Sequence, residues 1–197
     1  DKKAAFFAKY PTFIADGWTA YETITKSSDG EYKDQIKDFL PFLGYALYME
    51  SLDLQQKKKI NEALTAIDRS EKCFATAGQN NYYTHYSRAF LLIDKETKAD
   101  SAAALAEFEK TIELYKKPKE ESGGGVAGAY AMLIRLYGRW KKDLKKALDI
   151  SAKAQAAYPN NEDIRSAELD VYLVPEMFNE AIAKFKSELD KNPNDAM

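Results

Sequence analysis

Gly123, Gly125 and Gly128, in the stretch ESGGGVAGAY, have the G-x-G-x-x-G spacing that can cradle a dinucleotide pyrophosphate at a helix N-terminus. That chemistry needs an apolar strand immediately before the glycines, and the residues there, KKPKEES, are neither apolar nor β-branched. No Gly-Lys-Ser/Thr follows, which also excludes a P-loop. The glycines therefore read as an exposed loop, and no cofactor is expected. His85 is the only histidine and Cys73 the only cysteine. His85 has no carboxylate three or four residues away on either side, so a local metal pair is absent. A lone cysteine excludes an intrachain disulfide and any multi-cysteine metal site. With no nucleophile-elbow motif either, both residues read as structural and the chain as a non-enzyme.

The elements that would carry these residues are helices. Only six prolines and nine glycines interrupt long stretches of Ala, Leu, Lys and Glu, residues that lose little on entering a helix. Ala103, Leu105, Phe108, Ile112 and Tyr115 recur at helical spacing, as do Ile60, Ala63, Leu64, Ile67 and Phe74. No run alternates as a strand would. Turn residues fall at 27–32, 76–81, 118–125 and 158–163, and Pro175 suits the first turn of a new helix. The expectation is an all-α fold of nine or ten helices, mostly antiparallel neighbours. Pro41 is the place where the 31–51 segment would break or kink.

With 29 Lys and Arg against 31 Asp and Glu, the charge is balanced, which disfavours nucleic acid as a partner. No apolar run is long enough to span a membrane. The chain opens on Asp1 rather than Met, which suggests that an N-terminal piece was removed. A cleaved export signal and simple trimming explain this equally, so a periplasmic or cell-envelope location and a cytoplasmic one both stay open.

Self-comparison is the strongest signal. Ala147 and Ala181, Leu144 and Phe178, Leu148 and Ile182, Pro159 and Pro193, and Asn160 and Asn194 are each 34 residues apart. Ala104 with Phe108 and Ala63 with Ile67 repeat the four-residue step of Ala181 with Phe185. Tyr130, Leu133 and Tyr137 form one first-helix pattern, Tyr83, Tyr86, Ser87 and Phe90 another, and Leu43-Gly44 a third. A 34-residue, two-helix period with these residues resembles the tetratricopeptide repeat (TPR) family. The resemblance implies an α-α superhelix, a TPR-like solenoid of about four to five antiparallel helix pairs. It would make 1–197 a single domain, clearest over 124–195 and weakest over 1–40.

In proteins similar to this family, first helices line a concave surface that holds an extended peptide or a partner helix. Carried onto this chain, those positions include Tyr45, Tyr48, Met49, Thr84, Arg88, Ala131, Arg135, Arg139, Arg165, Leu169 and Tyr172. Four of the five arginines, Arg88, Arg135, Arg139 and Arg165, fall on expected first helices. The planar guanidinium matches a carboxylate, and tyrosine offers a broad surface with a polar tip. The expected function is thus a non-enzymatic protein-binding scaffold for an extended, partly acidic protein segment. The structural alternative is that these arginines stack on tyrosines and only stabilise the repeats. The family's carboxylate clamp of paired Asn and Lys is not reproduced. The basic run GRWKKDLKK (138–146), which includes Trp140, opposes the dipole of the helix that follows and is a second candidate anionic contact, the structural alternative being that Trp140 staples two repeats together. A different class of function, a cell-envelope protein holding an apolar small molecule or lipid inside the repeats, rests on the tyrosine-rich NYYTHY and GYALYME. Self-association is a third, if a terminal repeat is uncapped. The polar side of the last helix, Lys184, Lys186, Glu188 and Lys191, is expected to cap that end.

Overall fold

The computed structural model describes residues 9, 12–26, 34–95, 98–115, 124–174 and 177–191. Among these, every regular element is helical. The α-helices are α1 (Phe13–Lys26), α2 (Leu40–Gln56), α3 (Ile60–Thr76), α4 (Tyr82–Asp94), α5 (Lys98–Leu114), α6 (Gly124–Arg135), α7 (Leu144–Ala157), α8 (Glu162–Tyr172) and α9 (Phe178–Lys191). A 3-10 turn, Ile36–Asp38, precedes α2, and a π-helical turn, Leu136–Lys141, extends α6. Residues 27–32, Gly123, Pro175, Pro193 and Asn194, all used in the sequence reading, lie outside the described residues. The chain divides into two compact units, Asp1–Glu107 and Phe108–Met197.

In the first unit, the break expected near Pro41 lies just before it. Pro41 occupies the first turn of α2, where its missing N–H leaves no hydrogen bond unmade. α2 ends in a Schellman motif: the Lys58 N–H donates to Gln55 O (2.8 Å) and the Lys59 N–H to Leu54 O (2.9 Å), with Lys58 left-handed at φ 58°. α3 ends the same way around Gly78 (φ 71°), the turn glycine of the 76–81 break. These tight reversals lay α3 back along α2. The two approach closely because Gly44 has no side chain. A Cβ there would stand 3.0 Å from the Phe74 ring and 3.2 Å from Cys73 Cβ. The buried Ser70 hydroxyl donates to Gly44 O at 2.6 Å across the same contact. Trp18 of α1 joins Leu40, Leu43, Leu47 and Cys73 in one core cluster, with the Arg69 guanidinium 4.9 Å from its ring centroid.

In the second unit, α6, α7 and α8 pack on one another. Their core is Ala127, Ala131, Ile134, Ala147, Ala154, Ile164, Ala167 and Val171. The small residues aligned in the sequence self-comparison behave alike: Ala63, Ala104, Ala147 and Ala181 are all buried. Two expectations need correction. Gly125 and Gly128 are not in an exposed loop but in the first turns of α6, because the run Val126, Ala127, Ala129 and Ala131 behind them is buried and holds that turn helical. The last helix, expected to cap its end with the polar side of Lys184, Lys186, Glu188 and Lys191, exposes apolar residues as well. Lys184 is drawn to Glu168 and lies over the Tyr172 ring, while Phe178 and Ile182 are exposed. Their counterparts 34 residues earlier, Leu144 and Leu148, are half-buried against the core.

The Gly44 contact can be tested directly. Alanine favours an isolated helix over glycine by about 0.8–1.0 kcal/mol, yet Gly44→Ala should destabilise the protein by about 1–3 kcal/mol through overpacking. Urea unfolding reads the sign, and a stabilised variant would mean α3 yields there freely.

Candidate functional site

The arginines expected to share one surface fall in three different places. On α6 and its π-helical extension, Arg135 and Arg139 converge on a single residue of α8. Arg135 Nε donates to Asp170 Oδ2 at 2.8 Å, and Arg139 Nη2 donates to Asp170 Oδ1 at 2.9 Å. Arg135 Nη2 also donates to the Ser166 hydroxyl at 3.2 Å. Helical residues four apart lie on one face, which explains both the arginine pair and the Ser166–Asp170 pair opposite. The Arg139 side chain is 64% exposed and that of Asp170 23%. The site is held from inside but open to solvent.

Arg165 does not join them. It is exposed and five residues before Asp170, roughly 140° around α8 at about 100° per residue. Tyr172 is turned to α9, with its ring 6.0 Å from that of Phe185. Leu169 is half-buried, and Ala131 belongs to the core.

Arg88 is oriented away from any such surface. Its guanidinium binds Asp68 (2.9 Å) and Glu71 of α3 and reaches Glu107 of α5 (3.5 Å). Burial works against its charge, but Glu107, Glu71 and Asp68 outweigh that and raise its affinity for the proton. His85, one turn earlier on α4, completes the cluster: its Nδ1 is 2.7 Å from Glu107 Oε2 and its Nε2 3.5 Å from Glu71 Oε1. Burial pushes the Glu107 carboxyl up, yet the His85 hydrogen bond and the Arg88 charge prevail and hold it below its ordinary range. No group of three metal-ligating side chains occurs among the described residues. The cluster ties α3, α4 and α5 together, and its acidic members are what the sequence reading missed. The available signal was Asp68 with Glu71 and His85 with Arg88, each pair three residues apart and so on one helix face.

The tyrosines form a separate patch of the first unit. Tyr45 and Tyr48 of α2 have ring centroids 6.2 Å apart, and Tyr48 lies 6.3 Å from Tyr83 of α4. Tyr45 and Tyr83 are exposed, as is Phe42 one turn before Tyr45. Tyr48 reaches inward to the Ala63, Ile67 and Leu91 cluster, Met49 is half-buried, and Thr84 is fully buried. In the basic run, Lys142 is left-handed (φ 55°) and ends the π-helical turn, and Asp143 caps α7 by accepting the Lys146 N–H at 3.0 Å. That carboxylate offsets the positive charge expected to oppose the α7 dipole. Trp140 carries the Lys141 ammonium 4.3 Å from its ring centroid.

No family model, curated protein or solved structure matches the chain.

Two outcomes follow from this chemistry. Because Glu107 binds its proton less readily when folded, its stabilising contribution is complete above its unfolded-state pKa and fades as pH falls through the lower folded one. Glu107→Gln should therefore cost about 1.5–3 kcal/mol at neutral pH, as for a hydrogen bond to a charged group. The gap from wild type should close toward pH 3 in urea titrations; a gap independent of pH would mean the carboxylate charge is not what matters. Burial pushes the Cys73 thiol up to about 12, so an alkylating reagent at neutral pH should label it only after unfolding.

Proposed function

We propose that the chain is a non-enzymatic binding scaffold built from TPR-like helix pairs, a solenoid in which α2, α4, α6 and α8 act as first helices. In this reading the α6–α8 face holds an extended, acidic protein segment. The observation that carries it is the Arg135–Asp170–Arg139 arrangement. Two guanidiniums from one first helix are fixed on the next, at an edge open to solvent. Fixing them beforehand lowers the ordering cost that a ligand would otherwise meet. The common burial of Ala63, Ala104, Ala147 and Ala181 supports the repeat architecture. The pairing of α6 with both α7 and α8 supports it too, since helix pairs stacked in register bring successive first helices into contact. Arg88, already bound by three carboxylates, is left out of the ligand surface and serves the fold. The exposed Tyr45 and Tyr83 give the first unit an aromatic contact of its own.

Panning a random peptide library against the protein tests this reading. Wild type should enrich sequences rich in Asp and Glu. An Arg135→Glu, Arg139→Glu variant with unchanged helicity and melting should bind them at least about tenfold more weakly, the equivalent of about 1.4 kcal/mol of lost pairing. Enriched peptides without acidic residues, or acidic ones that bind both proteins alike, would overturn it.

A further inference from the structure

The group bound at the α6–α8 face can be narrowed by what already sits there. Asp170 gives one oxygen to each arginine, so the site holds a resident carboxylate. An incoming Asp or Glu side chain has the same charge and the same two-oxygen geometry. It has little advantage over Asp170, which is already attached and loses no freedom on binding. A phosphate monoester differs in both respects. It carries about −1.5 to −2 charges near neutral pH and presents three acceptor oxygens. It can bridge both guanidinium forks at once, where Asp170 takes one contact from each.

We infer that Arg135 and Arg139 form a phosphate-monoester site, that its ligand is a phosphorylated serine or threonine in a protein segment, and that Asp170 is the intramolecular competitor which that phosphate displaces. The inference rests on the proposed function in placing the ligand on this face. The donors are available among the described residues: each guanidinium has five N–H groups, and Arg139 directs one nitrogen to Asp170. Ser166, already within hydrogen-bond reach of Arg135, adds a neutral donor beside the pair. A protein ligand is favoured over a nucleic acid because one arginine pair balances one phosphate, whereas a polyanion requires a continuous basic face.

Asp170 thereby sets selectivity. It holds the arginines in place in the unbound protein, and as a competitor it weakens a carboxylate ligand more than a phosphate. Removing its charge should raise affinity for carboxylates more than for phosphates, so the preference should shrink.

The experiment is a titration followed through the arginine Nε–Hε resonances, assigned by single Arg→Lys variants. The probes are matched short peptides bearing phosphoserine, glutamate or serine at one position, with inorganic phosphate as a separate arm. The expected result is saturable shifts of the Arg135 and Arg139 signals, with phosphoserine at least about tenfold tighter than glutamate and tighter than inorganic phosphate. Asp170→Asn should cut that ratio severalfold. Arg139→Gln, at an exposed position that does not threaten folding, should remove the shifts. Equal binding of the phosphoserine and glutamate peptides through these arginines would overturn the phosphate assignment and leave the acidic-segment scaffold standing. Inorganic phosphate binding as tightly as the peptide would overturn the protein-segment assignment. An absence of shifts with every probe would overturn the inference, and with it the placing of the ligand on this face.

Discussion

The second unit depends on one close approach. Gly138, inside the π-helical turn that extends α6, is buried, and a Cβ there would stand 2.9 Å from Val171 Cγ2 and 3.9 Å from Ala147 Cβ. Glycine lets α6, α7 and α8 meet at that point, and the meeting fixes more than a core contact. Val171 is next in sequence to Asp170, and Gly138 is next to Arg139. Seating the valine on the glycine therefore sets the aspartate beside the arginine. A Cβ at 138 would force the Val171 side chain to shift, or α8 with it and Asp170 as well. The candidate site is thus an outcome of helix packing, and its geometry is only as precise as that contact.

Chemically similar arginines meet different fates because of how far each is removed from water. The Arg88 side chain is 12% exposed and surrounded by three carboxylates. A guanidinium that far from solvent needs compensation close to complete, and the fold supplies it. Arg139, near the rim, is compensated by half of one carboxylate. The rest of its fork is exposed, where solvent screening leaves little need for further compensation. The acids differ in the same way. Burial is the largest single effect at both Glu107 and Glu50; at Glu107 the His85 hydrogen bond and the Arg88 charge together outweigh it and lower the carboxyl, whereas at Glu50 it prevails over the nearby Arg69 and raises the carboxyl.

The parts of this organisation legible in the sequence were those with a period. Helical spacing of apolar residues and the turn around Gly78 follow from local chemistry, and the buried Ala147 and Ala181 stand out by their 34-residue spacing. Side-chain pairing across helices was not legible in the same way. That Arg88 belongs to Asp68, Glu71 and Glu107 depends on the rotation of three helices about their axes, and a shift of one residue turns a helical position by about 100°. The same rotation separates Arg165 from Asp170, although both are polar residues of α8. Gly125 and Gly128 mislead for a related reason. Glycine weakens a helix locally by about 1 kcal/mol, and burial of Val126, Ala127 and Ala129 outweighs it, a tertiary effect that no local propensity contains.

The last helix of the second unit leaves apolar residues exposed. Phe178 and Ile182 occupy in α9 the positions that Leu144 and Leu148 occupy in α7. In α7 those residues are half-buried against a core that includes Ile164, Ala167 and Val171 of α8. In α9 they are exposed, with Leu173 exposed nearby in sequence. The sequence is periodic at these positions, but the environment is not. The 34-residue spacing thus matches residue types at these positions without matching their burial. The same cannot be said of Arg135 and Arg139. Moved on by 34 residues they correspond to Leu169 and Leu173, so the arginine pair is a departure from the repeat. Features that break a structural period while costing the fold little are where specific binding chemistry is best sought, and Arg135 and Arg139 break it together, on one face and around one carboxylate.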